Sequence, residues 1–410
     1  MTREERSNLI LALTRVLYIN GESTHQTLRA AERVSNCLGF RATIFPHWGE
    51  LQVQTENTDG KLISAIAAAP SGVDMDRVAS TLRTVEELCD GRLAPADAME
   101  AISRIAEAPP APTWLFTLAA AAGAVALAVI FGVRHLTAAA LIFASAAAGA
   151  IVRRTLARYS TNIFVQPFSA ALLAGVVGAL AVRYELSSPL RLVAVCPCMV
   201  LVPGPHFLNG MLDLMRGRMN LGAARLIYAV LIVVAISTGL LLGLALLGAS
   251  LPVGPASRTV PLWGDVIAAG IAVVCFSVFF SSPLKMLPWP VAVGMLAHAL
   301  RWVALTALGA STPTGAFIAC LIVGAILTLV SRRWRMPFAA IGFASVVSMM
   351  PGAFMFGMAS GLVQLTNNSL RTWELMGATL ADGSIAVLTI LAMSFGLIVP
   401  KLSIEYVRKK

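Results

Sequence analysis

Between residues 114 and 400 the chain is almost unbroken apolar sequence, divided only by short loops that hold most of its arginines. A helix needs about 20 mostly apolar residues to cross the hydrocarbon of a bilayer. Inside that hydrocarbon every backbone N–H and C=O must find a partner within the protein, which restricts spanning segments to helices and closed barrels. The runs here have helix length, so the chain reads as a mainly α-helical, polytopic membrane protein. Ten runs qualify: 114–133, 136–152, 163–182, 190–210, 221–249, 263–282, 286–307, 314–331, 337–365 and 376–400. Two are irregular. The run 286–307 contains His298 and Arg301, and 337–365 is overlong and interrupted at Met350-Pro351-Gly352.

Charge divides the chain. Only 13% of its residues are charged, against roughly 25% in soluble domains. Residues 1–108 carry eleven Lys+Arg and fifteen Asp+Glu, and the rest carry twenty and six. The junction, Ala108-Pro109-Pro110-Ala111-Pro112, is stiff and helix-breaking. The expected organisation is a cytoplasmic α+β domain over 1–108, a Pro-rich linker over 109–113, five-helix membrane repeats over 114–250 and 263–400, and a basic cytoplasmic tail over 401–410. The N-terminus has mixed charge and no small-residue cleavage site, so it is not read as a signal peptide.

With that end inside, the inner loops and tail collect fourteen basic residues, among them Arg153, Arg154, Arg158, Arg216, Arg218, Arg225, Lys285, Arg332, Arg333, Arg335 and Lys401. The outer side has six: Arg134, Arg183, Arg191, Arg258, Arg301 and Arg371. That asymmetry predicts ten spans in a bacterial inner membrane with both termini cytoplasmic. The basic charge sits in loops between apolar runs and forms no stripe interleaved with aromatics, so no nucleic-acid partner is expected despite a pI of 9.8. The six cysteines form neither a disulfide framework nor a zinc spacing, and no metal or cofactor is expected. Cys196-Pro197-Cys198 reads as apolar core. Whether the chain works as a monomer or a homo-oligomer stays open.

Val202-Pro203-Gly204 recurs 148 positions later as Met350-Pro351-Gly352, and the same offset lays the first five runs over the last five. Five is odd, so the second copy crosses the bilayer the other way up, an inverted-topology repeat of the kind that secondary transporters use. Small residues at four-residue spacing (Ala171, Gly175 and Ala179; Gly239 and Gly243; Gly357 and Gly361) permit close helix packing.

A Pro-Gly pair inside an apolar run breaks the backbone ladder. Two breaks at matching positions of two repeats point to a substrate site, and a half-helix N-terminus can hold a carboxylate. The candidate substrate-binding residues are Pro203, Gly204, His206, Asn209, Pro351, Gly352 and Arg301. His206, Asn209 and Asp213 share a helix face beside the first break, and Gln364, Asn367 and Asn368 follow the second. Ionisable groups within spans are costly and functional by default. Asp213, His206 and Asp382 are therefore the candidate proton-coupling residues, and His298 with Arg301 could bind a carboxylate or pair with Asp382. Plainer readings stay open: structural kinks at the breaks, Asp213 facing the cytoplasm beside Arg216, Asp382 in a structural ion pair, and Arg301 snorkelling to the interface.

Before the membrane runs, 5–19 and 24–38 read as amphipathic helices, with a capping-box spacing at Ser23…Gln26. Arg41–Phe45 and Glu50–Thr55 alternate as strands around a turn at His47-Trp48-Gly49, and 73–90 and 95–107 read as helices. Ser23, Thr24, His25 and His47 invite a membrane-anchored hydrolase reading, but no G-x-S-x-G or H-E-x-x-H places a base beside a nucleophile.

Three stretches carry a resemblance. They are Gly21-Glu22-Ser23-Thr24-His25-Gln26; Leu201-Val202-Pro203-Gly204-Pro205 followed by Asn209-Gly210, Leu212-Asp213-Leu214, Gly217 and Gly222; and Met350-Pro351-Gly352. In this order and spacing the chain resembles the threonine/serine exporter family, in its fused form with both halves on one polypeptide. It departs from the usual pattern at Pro205-His206-Phe207. The resemblance implies proton-driven export of threonine and serine from the cytoplasm through ten spans. Split two-chain relatives are associated with succinate export, so a dicarboxylate is the alternative substrate. The expected mechanism is alternating access between the repeats, with substrate at the breaks and the proton exchanged at Asp213 or at His206, whose imidazole can titrate near physiological pH.

Overall fold

The structure is a computed structural model that describes residues 2–39, 41–57, 60–184, 186, 190–252, 260–334, 336–366 and 372–407. Glu185, Arg258, Arg335, Asn367, Asn368, Arg371 and the tail beyond 407 lie outside the described residues.

The chain opens with helices α1 (Arg3–Ile19) and α2 (Thr24–Cys37). An antiparallel sheet follows: β1 (Ala42–His47), β2 (Gly49–Asn57) and β3 (Gly60–Ala68), in that order, with Ile44 opposite Val53 and Val53 opposite Ser64. Helices α3 (Met75–Cys89) and α4 (Pro95–Glu107) complete this part. Thr2 and Glu5 start α1 with a reciprocal capping box at 3.2 and 2.8 Å. Leu51, Val53 and Thr55 point inward from β2 and are fully buried.

Two features differ from expectation. β3 has no counterpart among the expected strands, its alanine-rich Lys61–Ala69 offering only Ile63 and Ile66 as β-branched residues. The capping box at Ser23…Gln26 does not form. Glu22 Oε1 instead takes the Ser23 N–H at 2.6 Å, and the Ser23 side chain makes no cap bond.

The apolar part contains α5 (Thr113–Ile130), α6 (Leu136–Tyr159), α7 (Val165–Arg183), α8 (Leu190–Met199), α9 (Gly204–Met215) and α10 (Met219–Ala245). It continues with α11 (Leu262–Phe279), α12 (Pro288–Thr306), α13 (Thr312–Arg333), α14 (Phe338–Val346), α15 (Gly352–Thr366) and α16 (Trp373–Val407). Among the described residues seven helices are long and apolar enough to cross a membrane, and up to nine spans result if each bent pair counts as one. The tenth expected span, 286–307, forms α12, but Pro288, Pro290, His298 and Arg301 make it too polar to qualify by hydropathy.

Both expected breaks exist and share one local geometry. α8 and α9 bend by 57° and the α14–α15 pair by 53°. In each a 3₁₀-type turn precedes the proline: Val202 N bonds to Met199 O, and Met350 N to Val347 O. A three-residue turn then carries the chain past it, Gly204 N to Val202 O and Gly352 N to Met350 O, both at 2.9 Å. The next helix restarts on the proline carbonyl, with Phe207 N on Pro203 O and Met355 N on Pro351 O.

Glycines set the tightest crossings. A Cβ on Gly239 or Gly243 of α10 would overlap the Phe168 or Leu172 carbonyl of α7. On Gly324 of α13 it would lie 2.7 Å from the Leu397 carbonyl of α16. Without a hydrophobic driving force between helices in lipid, such close packing is what joins them. A backbone carbonyl cannot swing aside, so Gly243→Ala should cost about 1–3 kcal/mol of overpacking. Gly377→Ala, where the added methyl meets nothing within 4 Å, should not destabilise. Thermal unfolding of the two variants in detergent checks this, and equal midpoints would refute the packing argument.

Candidate functional site

The breaks touch each other. A Cβ on Gly204 would lie 2.7 Å from the Phe343 ring and 2.9 Å from Met350 Cε, and one on Gly352 would lie 3.1 Å from Met199 and 3.2 Å from Val202. The surface where they meet is therefore apolar, filled by Met199, Val202, Phe343 and Met350. Pro351 and Gly352 line no polar cavity. That corrects the expectation of a polar pocket shared by the two breaks: each proline turns its neighbouring methionine and valine toward the other break.

The polar space lies to one side. Where α6, α9 and α11 end and α10 begins, the bundle is covered by the N-terminal elements. Under this cover, between the strap Ser71-Gly72-Val73 and the unwound residues Val200–Pro203, is a cavity of about 260 Å³. Pro203 and His206 line it; Gly204, Asn209 and Asp213 do not. The His206 ring stands edge-on to Tyr228 at 5.0 Å, and Tyr228 in turn meets Trp48 of the N-terminal part at 5.0 Å.

The charged group of this cavity is Arg153. Its guanidinium lies 5.3 Å from the Phe279 ring centroid and 5.8 Å from that of Phe116. Its Nε is sealed from solvent without a hydrogen bond, and among the described residues it has no ion-pair partner. Tyr228 Oη is a second buried group without a partner. The carbonyls of Val200 and Leu201, just past the end of α8, accept no hydrogen bond among the described residues. The cavity thus offers an unpaired cation at one wall and the carbonyl end of a broken helix at another.

Asn209 and Asp213 hold the cover. Thr24 Oγ1 donates to Asp213 Oδ2 at 2.9 Å across 189 positions of sequence, and Asn209 Nδ2 donates to the Gly21 carbonyl at 3.0 Å. Arg225, 1% exposed, lies 3.2 Å from the same Asp213 oxygen, and Arg218 pairs with the other at 3.3 Å. Arg225 also lies over the Tyr18 ring at 5.3 Å. The Thr24 hydroxyl, considered as a nucleophile, is thus spent on a carboxylate and on Arg225. The stretches Gly21–Gln26 and Asn209–Asp213 are two sides of one contact.

The remaining sequence candidates fall elsewhere. Asp382 faces Arg191 at 3.8 Å, so its partner is neither His298 nor Arg301. Gly357 leaves the room that this pair occupies. His298 pairs with Asp265 at 3.0 Å. Arg301 lies half-buried on α12, outside the cavity lining, with its Nε unbonded. Arg153 and Tyr228 are not among the sequence-predicted site residues, and Thr24, considered only for a hydrolase, serves a contact. Arg153 had a signal, since the offset of 148 that aligns the breaks also aligns it with Arg301.

Apolar helices around a half-buried cation, with two helix pairs broken in the same way, define a polytopic membrane protein with an internal polar site. Residues 8–247 match a family model described as "Putative threonine/serine exporter", and residues 265–403 match "Threonine/Serine exporter, ThrE". The chain belongs to the threonine/serine exporter family. A curated "Probable threonine/serine exporter" of Mycobacterium tuberculosis is 29% identical over 300 residues, covering 69% of this chain and 55% of its own length. The chain spans about half the length of that relative. No solved structure matches it.

Glu22, wholly buried in the contact, has its carboxyl pushed above the usual range, chiefly by burial and against the pull of Lys401. The docked state therefore binds this proton more tightly than an exposed glutamate does. Docking is fully favoured at a pH below the ordinary carboxylate value and weakens as pH rises through the raised one. Glu22→Gln should remove that dependence and tighten docking at neutral pH. Hydrogen exchange of residues 20–26 at mildly acidic and neutral pH reads this directly, and an unchanged pH response in the variant would refute it.

Proposed function

We propose that the protein is a secondary active exporter of a small zwitterionic amino acid, threonine or serine, in exchange for protons. The observation that carries this is Arg153: a half-buried guanidinium, without an ion-pair partner among the described residues, facing a cavity sized for one small ligand. An unpaired charge away from water is costly, and a carboxylate in bidentate contact would satisfy it. The ammonium of the same molecule fits the Val200 and Leu201 carbonyls at the negative end of α8, and a hydroxyl side chain is within the chemistry of Tyr228 and His206. A dicarboxylate such as succinate would turn its second carboxylate against those carbonyls, so the zwitterion is the better fit.

The working cycle we assign is alternating access between two inverted five-helix halves, 114–250 and 263–400, with α12 as the tenth span. Supporting it are the identical turn pattern at the two breaks, the matched bends, and the matched glycine crossings α7–α10 and α13–α16. The bundle end under the N-terminal elements carries Arg153, Arg154, Arg216, Arg218, Arg225 and Lys401, which supports a cytoplasmic N-terminal domain over 1–108 and a C-terminal tail on the same side of an inner membrane. The 70–74 strap and the Thr24–Asp213 contact then close the cavity from the cytoplasm, so Asp213 acts as a latch and is given no coupling role.

In proteoliposomes, counterflow of labelled threonine or serine should exceed that of succinate. Arg153→Gln should raise the half-saturating threonine concentration at least tenfold, the loss expected for about 1.4 kcal/mol or more of a charge-assisted contact. Full affinity in the variant, or preference for succinate in the wild type, would overturn the assignment. Asp213→Asn should speed exchange of the strap amides while leaving the threonine affinity near that of the wild type.

A further inference from the structure

The second half holds a polar cluster that the cavity does not use. His298, wholly buried, has Nδ1 3.0 Å from Asp265 Oδ2 and Nε2 2.8 Å from Ser348 Oγ. Asp265 lies in the first turn of α11, at the bundle end away from the N-terminal elements, since α11 finishes where the Phe280 carbonyl accepts from Met75 N. Ser348 lies on the 3₁₀ turn Val347–Met349, immediately before the second break. The cluster thus runs from near the far end of the bundle to the fracture at its middle.

Its position has a counterpart. The offset of 148 places Arg301 on Arg153, His298 on Ala150, Ser348 on Val200 and Asp265 on Thr117. Ala150, Arg153 and Val200 lie together beside the cavity of the first half, and Thr117 Oγ1 there is buried without a partner. Arg301 repeats the state of Arg153, with a solvent-sealed Nε that makes no hydrogen bond, and is within electrostatic range of Asp265. One half leaves the place open for a ligand. The other fills it with an acid, an imidazole and a hydroxyl.

Resting on the exporter reading above, we infer that Asp265, His298 and Ser348 form the proton-coupling site, built at the position in the second half that corresponds to the substrate cavity in the first. The charged and titratable groups set against α12 are Asp265 from α11, Cys320 from α13, Arg301 on α12 itself and Lys285 on the turn before it, with Arg332 and Arg333 at the end of α13. The segment Phe338–Met349 brings only hydroxyls, Ser345 and Ser348. An ionised Asp265 can only accept, so it holds the proton of His298 on Nδ1, and Nε2 accepts from Ser348. Loading one proton on Nε2 turns the ring into a donor on both sides. Ser348 must then accept, and its own hydroxyl proton turns away to another acceptor. The cluster gains one positive charge, and the hydrogen bond beside the second break reverses direction. A proton taken from water at the far end is thereby felt at the fracture that alternating access has to move.

The test uses the full chain in proteoliposomes with three readings: threonine counterflow without a pH gradient, threonine accumulation driven by an imposed pH gradient, and proton flux on threonine addition followed with a trapped pH dye. His298→Gln and Asp265→Asn should keep counterflow within about twofold of wild type, lose gradient-driven accumulation at least tenfold, and lose the threonine-evoked proton flux. Wild-type accumulation in His298→Gln overturns the inference. Should both variants fail to fold by size exclusion, Ser348→Ala, which removes one hydroxyl, decides: a shifted pH profile of accumulation supports the site and an unshifted one sinks it. A wild type with no threonine counterflow at all would instead defeat the exporter reading, and counterflow that ignores pH would defeat the coupling alone.

Discussion

The structure depends on how two interrupted backbones are kept out of lipid. A break at Pro203 or Pro351 frees carbonyls and amides that hydrocarbon cannot satisfy, at a cost of several kcal/mol for each bare group. The fold meets this in two steps. Locally, the 3₁₀ turn and the three-residue turn recover hydrogen bonds for Val202, Gly204, Met350 and Gly352. Globally, the breaks are set against each other, so that the interrupted segments face protein. A Cβ at 204 would overlap the Phe343 ring and one at 352 would press on Met199 and Val202, and the residues that fill the gap include the flexible Met199 and Met350, suited to irregular space. The carbonyls left over among the described residues, at Val200 and Leu201, belong to the lining of the cavity that also holds Arg153.

From that constraint follows the division of labour among the polar residues. Those on α9 do not converge on the cavity together. His206 sits one turn into the helix and looks into it. Asn209 and Asp213, further along, reach the end of the bundle and meet Gly21 and Thr24. One helix face therefore reads as a single polar stripe in sequence but serves two purposes in space, because it passes from the break to the docking surface. The ion pair of Asp213 with Arg225 is nearly dry, and removing either partner strands the other; for a buried pair that costs about 3–5 kcal/mol. Such a contact holds the N-terminal elements in one position over the cavity, and Glu22 within it ties that position to pH.

The breaks, the helix-length runs, the glycine crossings and most of the N-terminal elements were legible in sequence because each is a local signal: a Pro-Gly pair, a length, a spacing, an amphipathic period. The pairings were not. Thr24 and Asp213 lie 189 positions apart, and no periodicity connects a turn between two soluble helices to the face of a membrane helix. Arg153 was counted among loop charges because it is followed by Arg154 and Arg158, yet it points inward while Arg154 bonds the Ala111 carbonyl of the linker. The pairing of Asp382 with His298 or Arg301, one of the options the sequence left open, does not form; its partner is Arg191, in the first turn of the proline-interrupted α8 and counted among loop charges. β3 was missed since alanine carries no strand preference, and its burial comes from α1 above it.

The two halves also differ in a way that the 148-residue offset between the matched breaks makes informative. Equivalent positions hold Arg153 and Arg301, but the space beside the first is cavity and the space beside the second is occupied by His298, Asp265 and Ser348. A perfectly symmetric pair would present the same ligand site toward both sides and gain nothing from a gradient. Where one half has Ala150, Val200 and Thr117, the other has His298, Ser348 and Asp265; under the proposed reading this gives the two faces different ligands, an amino acid on one and a proton on the other. The contact between the breaks, Gly204 on Phe343 and Met350 and Gly352 on Met199 and Val202, joins them through packed side chains. Packed cores rearrange between discrete states and do not deform continuously, so a change of charge on the far side can reach the cavity only by moving both breaks together.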